Sequence, residues 1–319
     1  MIFLAEISLK QIVSVFFEST FSFNLANSQM GSNQSSIITK PSQYQQKLLH
    51  LPPDFSKSKF AKARTCSTIS KVLKKIAAIG TCINNTNPES IPKTHLDRIC
   101  FITINTYHRP DYQLGIGPLN DSYLVAANHH RRGYRIFYLY NATRDEFINF
   151  ATFFIKFTVQ SLTIFYSGRC TKLGANRNGK IEGYNNAMVF EQGYFIDPEM
   201  GSILSENAKG NLTIVLISDC CKGGTIWDLD AIKKDYSNLP TNIVSISAVE
   251  ISEITLQGTS LKKNTDGIFT YFFWEITNTT PNIALDKLEE RINPKMERFN
   301  LKLVYGMSAN DLYEKPIFS

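Results

Sequence analysis

Short apolar runs alternating with helical stretches predict an α/β fold, a mostly parallel sheet flanked by helices on both faces. Two further observations support that class. The runs are continuous rather than alternating, the pattern of strands buried on both faces. At 319 residues and 43% hydrophobic content, the chain can also bury a substantial core in one or two domains.

The elements follow in order. Residues 1–97 are rich in Ser, Lys and Asn, with prolines at 41, 52, 53, 88 and 92, and read as a basic, largely unstructured arm with one helix over 68–79. The packed domain is expected over 98–319. Its first strand is ICFITINT, over 99–106. A helix over 120–130 stops at Gly133, and YRIFYLY over 134–140 is the second strand. Thr143 and Glu146 have the spacing of a capping box that opens a helix running to about residue 159. Strands follow at 162–166, 212–218 and 242–247, then helices at 267–276 and 282–299, the last bent at Pro294.

The formal net charge of +6 is concentrated, because residues 40–75 carry nine Lys or Arg against Asp54 alone. In its ordinary reading such an arm is a solvated tail; in its sharper reading it contacts acidic membrane surfaces. Nucleic acid is not an expected partner. Met30 begins MGSNQS, the form M-G-x-x-x-S read by N-myristoylation. A chain started there could carry a fatty acid on Gly31, with the basic segment as the second attraction that stable anchoring needs. Residues 2–25 are apolar on average, but Glu6, Lys10 and Glu18 interrupt them, which makes a poor signal peptide and a poor membrane span. The six cysteines, at 66, 82, 100, 170, 220 and 221, show neither the framework of a small secreted domain nor a CxxC pair. A reducing, cytoplasmic setting fits them best.

In open sheets of this type ligands sit beyond the carboxyl ends of the strands, here after residues 106, 166, 218 and 247. The most unusual residues lie there. After 212–218 comes SDCCKGGTIWDL, a cysteine pair followed by glycines whose N–H groups can turn toward a developing oxyanion, as acyl transfer requires. The ordinary alternative is inert packing of the cysteines.

SDCCKGGTIWDL resembles the nucleophile loop of metacaspases, the caspase-like cysteine peptidases of protists, plants and fungi, which typically read DCCHSGT or DSCHSG there. LNDSYLVAANHHRRGYRIFYL resembles the family's acidic loop, helix and second strand, and TIFYSG the strand leading to its catalytic histidine. IVSISA and GIFTYFFWEI resemble its fifth strand and the helix that follows. The resemblance covers residues 98–308 and implies a caspase-like fold with Cys221 at the nucleophile position.

That family reads YYSGHG, where the histidine is the general base and the next glycine lies beside the oxyanion hole. Here Gly168 is followed by Arg169 and Cys170, so the base is missing and the oxyanion-hole positions are Gly168 and Cys170. A guanidinium stays protonated and can neither take the thiol proton nor hand one to a leaving amine. It can still favour a thiolate. Losing general acid–base help costs on the order of a hundred- to ten-thousand-fold in rate, so efficient peptide hydrolysis is not expected.

Of the five histidines, His50 and His95 lie in the arm, and His129 and His130 follow a helix at the opposite end of the sheet. His108, two residues past the first strand, is the candidate substitute base, with a surface-loop histidine as its ordinary reading. The resemblance places Asp121, Asp219 and Ser247 in a pocket for an Arg or Lys of the substrate, where paired carboxylates accept a guanidinium's donors. For Asp121 the alternative is a helix N-cap.

Where the family has an acid-rich run supporting calcium-dependent activation, this chain has ANRNGKIEGYNNA, with Glu182 the one acid left and Lys180 beside it. Calcium wants several carboxylate oxygens, so no calcium requirement and no other cofactor is expected. Asp228 fits the family's pattern but also fits a turn cap. Cys170, Cys220 and Cys221 with His108 form a minor alternative, a metal site or redox pair. The expected function is a catalytically impaired metacaspase homologue that binds basic peptides or an active relative. The rival is a slow cysteine endopeptidase cutting after Arg or Lys.

Overall fold

Strand β2 (Arg98–Ile104) buries Ile99 and Phe101 in one core cluster and Cys100, Ile102 and Ile104 in another. The alternation follows from the two-residue period of a strand, and the two clusters are the two covered faces of the sheet. The computed structural model describes residues 66–173, 185–221, 226–250 and 267–318. The arm before residue 66, with Gly31, and the loop 174–184 lie outside the described residues.

In chain order the other elements are α1 (Cys66–Ala77), β1 (Gly80–Cys82), α2 (Gly117–Arg131), β3 (Arg135–Tyr140), α3 (Arg144–Phe157), β4 (Ser161–Leu173), β5 (Asn185–Val189) and β6 (Tyr194–Ile196). They continue with α4 (Asp197–Asn207), β7 (Thr213–Cys221), α5 (Leu229–Asp235), β8 (Ile243–Glu250), α6 (Ile268–Thr279), α7 (Leu285–Met296) and β9 (Leu301–Met307). The main sheet runs β1-β3-β2-β4-β7-β8-β9, parallel except for β9, which returns antiparallel to β8. β5 and β6 are attached through the far end of β4.

Helices α1, α2, α6 and α7 supply Ile76, Val125, Phe273 and Leu288 to the first core cluster; α3, α4 and α5 supply Phe147, Leu204 and Ile232 to the second. The sheet is thus mostly parallel and covered on both faces, as the sequence predicts. The start of α3 is the expected capping box. The amide of Glu146 donates to Thr143 Oγ1 at 3.2 Å, and the amide of Thr143 donates to Glu146 Oε2 at 2.9 Å.

Two expectations need correction. The folded part begins before residue 98: β1 pairs with β3, and Val72 and Ile76 of α1 are buried. Lys71, Lys74 and Lys75 are exposed on that helix, so its basic character masks an apolar stripe that packs inward. The third expected strand, read as ending at Tyr166, runs on to Leu173. Beyond residue 166, β7 pairs with β4 through Arg169 and β5 takes over from Cys170.

Among the described residues, no helix is long and apolar enough to cross a membrane.

Candidate functional site

Three strands meet at the carboxyl edge of the sheet and leave it at different points. β2 leaves the pairing at Ile104 opposite Ser167, and the amide of Asn105 still donates to the Ser167 carbonyl at 3.0 Å. β4 and β7 continue past it, placing Ser167 opposite Asp219, Gly168 opposite Cys220 and Arg169 opposite Cys221. The residues expected in loops therefore stand on paired strand extensions. Rigid elements hold functional groups with less freedom than loops do.

Gly168 is pinned between two tyrosines. A Cβ there would lie 2.7 Å from the Tyr107 hydroxyl and 2.8 Å from that of Tyr166, so no other residue fits without displacing a ring. The two hydroxyls, 3.2 Å apart, both donate to the Val189 carbonyl, at 2.8 and 2.7 Å. Burial pushes both phenols well above their usual acidity range, so they stay protonated.

The same pair grips the main chain of Arg169. Its amide donates to the Tyr107 hydroxyl at 2.7 Å, and its carbonyl lies 2.7 Å from the Tyr166 hydroxyl, whose single proton is shared between that oxygen and the Val189 carbonyl. The side chain is held separately: Nε donates to the Tyr112 carbonyl at 2.8 Å and Nη2 to the Gln113 carbonyl at 3.4 Å. Tyr112 ends a short 3₁₀ turn, Pro110–Tyr112, and two cations converge on that turn, because the guanidinium of Arg109 also stacks on the Tyr112 ring at 4.4 Å.

The next residue, Cys170, is joined to Cys220 by a disulfide, with Cα atoms 6.0 Å apart. The sequence reading left these cysteines unpaired in its main form; their strands bring them together. Cys221 is the last residue of β7. Its side chain lies outside the described residues, as do Lys222, Gly223 and Gly224.

The acids meet at a helix start. Asp219 Oδ2 accepts from the Thr270 amide at 3.1 Å and from the Thr270 hydroxyl. That carboxylate thus satisfies an amide in the first turn of α6, where the helix dipole favours negative charge. Asp121, 1% exposed, reaches the same turn: a Cβ built on Gly267, the residue before α6, would sit 2.8 Å from its Oδ1. Gly267 adopts φ +87°, so both conformation and space require glycine. Asp121 is the fifth residue of α2 rather than its N-cap, which removes that alternative. Ser247 is buried and stands opposite Ser218 in the β7–β8 register. Beside this row, Asn105 Oδ1 and Ser218 Oγ are buried with no hydrogen-bond partner among the described residues.

His108 sits on the rim, 67% exposed at its side chain, with Nδ1 3.4 Å from Glu191 Oε1. Its amide also donates to Glu191, at 3.2 Å. His129 is elsewhere, in the core: its ring nitrogens meet the Val125 carbonyl at 3.1 Å and Thr163 Oγ1 at 2.9 Å, between Tyr134, Trp274 and Phe318. Thr163 lies near the amino end of β4, so this histidine is at the opposite end of the sheet, as expected.

Asp228 caps α5, its Oδ1 accepting from the Ala231 amide at 2.9 Å. The neighbouring carboxylate, Asp197, accepts from the Trp227 amide at 3.0 Å. Both are committed to the backbone, and no group of three or more His, Cys, Asp or Glu suited to a metal exists among the described residues. The sequence reading missed Tyr107, Tyr166, Tyr112 and Thr270. Only Tyr166, within FYSG, carried a local signal.

No family model matches the chain, and no curated protein does. Solved structures do. Protein GSU0716 from Geobacter sulfurreducens is 14% identical, over 69% of this chain and 97% of that one, with a TM-score of 0.51. The two chains share a fold. Caspase-1 from Spodoptera frugiperda is 12% identical over 69% and 90% of the two chains, with a TM-score of 0.47. The Drosophila initiator caspase Dronc is 10% identical over 68% and 81%, with a TM-score of 0.44.

Proposed function

We propose that the protein is a metacaspase-like, catalytically impaired cysteine endopeptidase homologue that binds basic peptides rather than cutting them. The single observation carrying this reading is the seat of Arg169. It stands opposite Cys221 in the strand register, its main chain gripped by Tyr107 and Tyr166 and its guanidinium tied to the Tyr112 carbonyl. A guanidinium at that position would offer a thiol positive charge but no proton exchange. A thiol attack on a peptide would stall because the departing amine receives no proton.

The binding half rests on charge. Asp121 and Asp219 both reach the first turn of α6, where paired carboxylates would accept donors from a guanidinium or ammonium. A basic segment of an active metacaspase would serve as ligand as well as a substrate peptide would. The Lys-rich arm, with acylation of Gly31 if translation starts at Met30, would add attraction to an acidic membrane surface.

Arginyl peptide substrates and a fluorescent arginyl peptide test both halves, with Cys221→Ala and Asp219→Asn variants. Expected are binding that Asp219→Asn weakens and no turnover above the Cys221→Ala background. Turnover abolished by Cys221→Ala would instead establish the slow-peptidase reading, and His108→Ala would then show whether the His108–Glu191 pair supplies the base.

A further inference from the structure

The Cys170–Cys220 bond joins neighbouring strands at the point where β4 changes partners. Cys220 stands opposite Gly168, so Cys170 lies two residues further along β4 on the same face, and the diagonal span of 6.0 Å between Cα atoms is an ordinary disulfide reach. β2 has already left β4 at Ser167, and the β4–β7 ladder ends at the Arg169–Cys221 pair. From Cys170 onward β4 pairs with β5 instead. The disulfide is therefore the tie that holds β4 to β7 where their own hydrogen bonds run out.

Both cysteines pack on the core with one side and are half-buried, so a small reductant can approach them. The other two cysteines whose side chains are described stand apart. Cys82 is exposed, and Cys100 is buried with its thiol pushed up in pKa by that burial.

We propose that Cys170 and Cys220 are a reversible redox couple at the carboxyl edge of the sheet, with a dithiol as co-reactant. The proposal does not rest on peptide binding. A thiolate of the dithiol attacks one of the two sulfurs; the Cys170–Cys220 bond breaks and a mixed disulfide forms, the released sulfur taking a proton. The second thiol of the reductant then displaces the first, leaving two protein thiols and one oxidised dithiol, a transfer of two electrons and two protons. In the oxidised state neither sulfur is available to bond Cys221, the next residue in the chain, so its thiol is kept from internal oxidation. In the reduced state the ends of β4 and β7 are released from each other beyond Arg169.

The test uses the full chain, purified without reductant, alkylated and mapped by mass spectrometry without reduction. Expected is a cross-linked peptide joining Cys170 to Cys220. Native protein equilibrated across a series of reduced-to-oxidised dithiothreitol ratios should gain two alkylated thiols in one reversible two-electron transition, and its melting temperature should fall by several degrees across it. Cys170→Ser, and separately Cys220→Ser, should melt at the reduced value and respond to neither state of the buffer. A cross-link to Cys221, no cross-link, or a bond that dithiothreitol reduces only after denaturation would overturn the proposal.

Discussion

The backbone amide of Arg169 donates to the phenolic hydroxyl of Tyr107 at 2.7 Å, across two strands that have already separated. Tyr107 holds φ +60°, a conformation uncommon outside glycine, and directs its ring between Gly168 and the Val189 carbonyl. Tyr107→Phe keeps the ring but leaves the Arg169 amide without its acceptor. A loss of about 1–3 kcal/mol is expected, read as a lower urea midpoint at unchanged slope.

Gly168→Ala brings a methyl group to 2.7 and 2.8 Å from two tyrosine hydroxyls. Overpacking of this kind costs about 1–3 kcal/mol. The double variant Gly168→Ala with Tyr107→Phe removes one of the crowded atoms and should lose less than the sum of the single effects; additive losses in thermal melts would show that the clash is not the cause.

Arg169→His with Cys170→Gly recreates the sequence SGHG within β4. If the chain is, as proposed, a peptidase homologue disabled at position 169, cleavage of arginyl peptides should rise on the order of 100-fold or more over the unaltered chain. Adding Cys221→Ala should abolish the gain. The single variant Arg169→His, which keeps the Cys170–Cys220 bond, is the control; no gain in either variant would count against the position-169 account.

Stability should depend on pH through two groups of opposite sign. Burial, aided by Asp228, raises Asp197 to about 7, while the bond from the Trp227 amide opposes the shift. The folded state then holds the proton more tightly than the unfolded chain, so stability falls as pH rises from about 4 to about 7. Asp197→Asn keeps an acceptor for Trp227 and should gain up to ~4 kcal/mol at pH 8, the gain vanishing in acid. Chemical denaturation at both pH values checks this.

His129 works the other way. Burial pushes its pKa down to about 3, so the unfolded state binds the proton first and stability falls as pH drops below about 6.5. Variant His129→Gln should start less stable at neutral pH, having lost the aromatic packing, yet show a shallower loss between pH 6 and 4. An unchanged acid slope would mean that other groups govern it.

The sequence exposed its core strands because runs such as ICFITIN have one physical use, burial on both faces. The Thr143–Glu146 box was equally legible, since capping is local chemistry. What stayed hidden depends on neighbours remote in the chain. Nothing local to Gly168 says that two tyrosine rings will occupy the space of its missing side chain. Cys170 and Cys220, separated by 50 residues, meet only through strand register. The β5–β6 hairpin and the antiparallel β9 were missed for the same reason, being short and stabilised by the sheet they join. Motif resemblance singled out Asp121 and Asp219 as candidates, but that both reach the start of α6 could not be read from either segment alone.

If these acids receive a basic ligand as proposed, a competition follows. Asp219 already accepts from the main chain and hydroxyl of Thr270, so an incoming guanidinium would have to share or displace those donors. Occupancy of the acids and firmness of the helix's first turn would then trade against one another. A ligand able to leave the Thr270 bonds in place would hold on more tightly than one that pulls the carboxylate away, and the exchange rates of the amides opening α6 would rise only for the second kind.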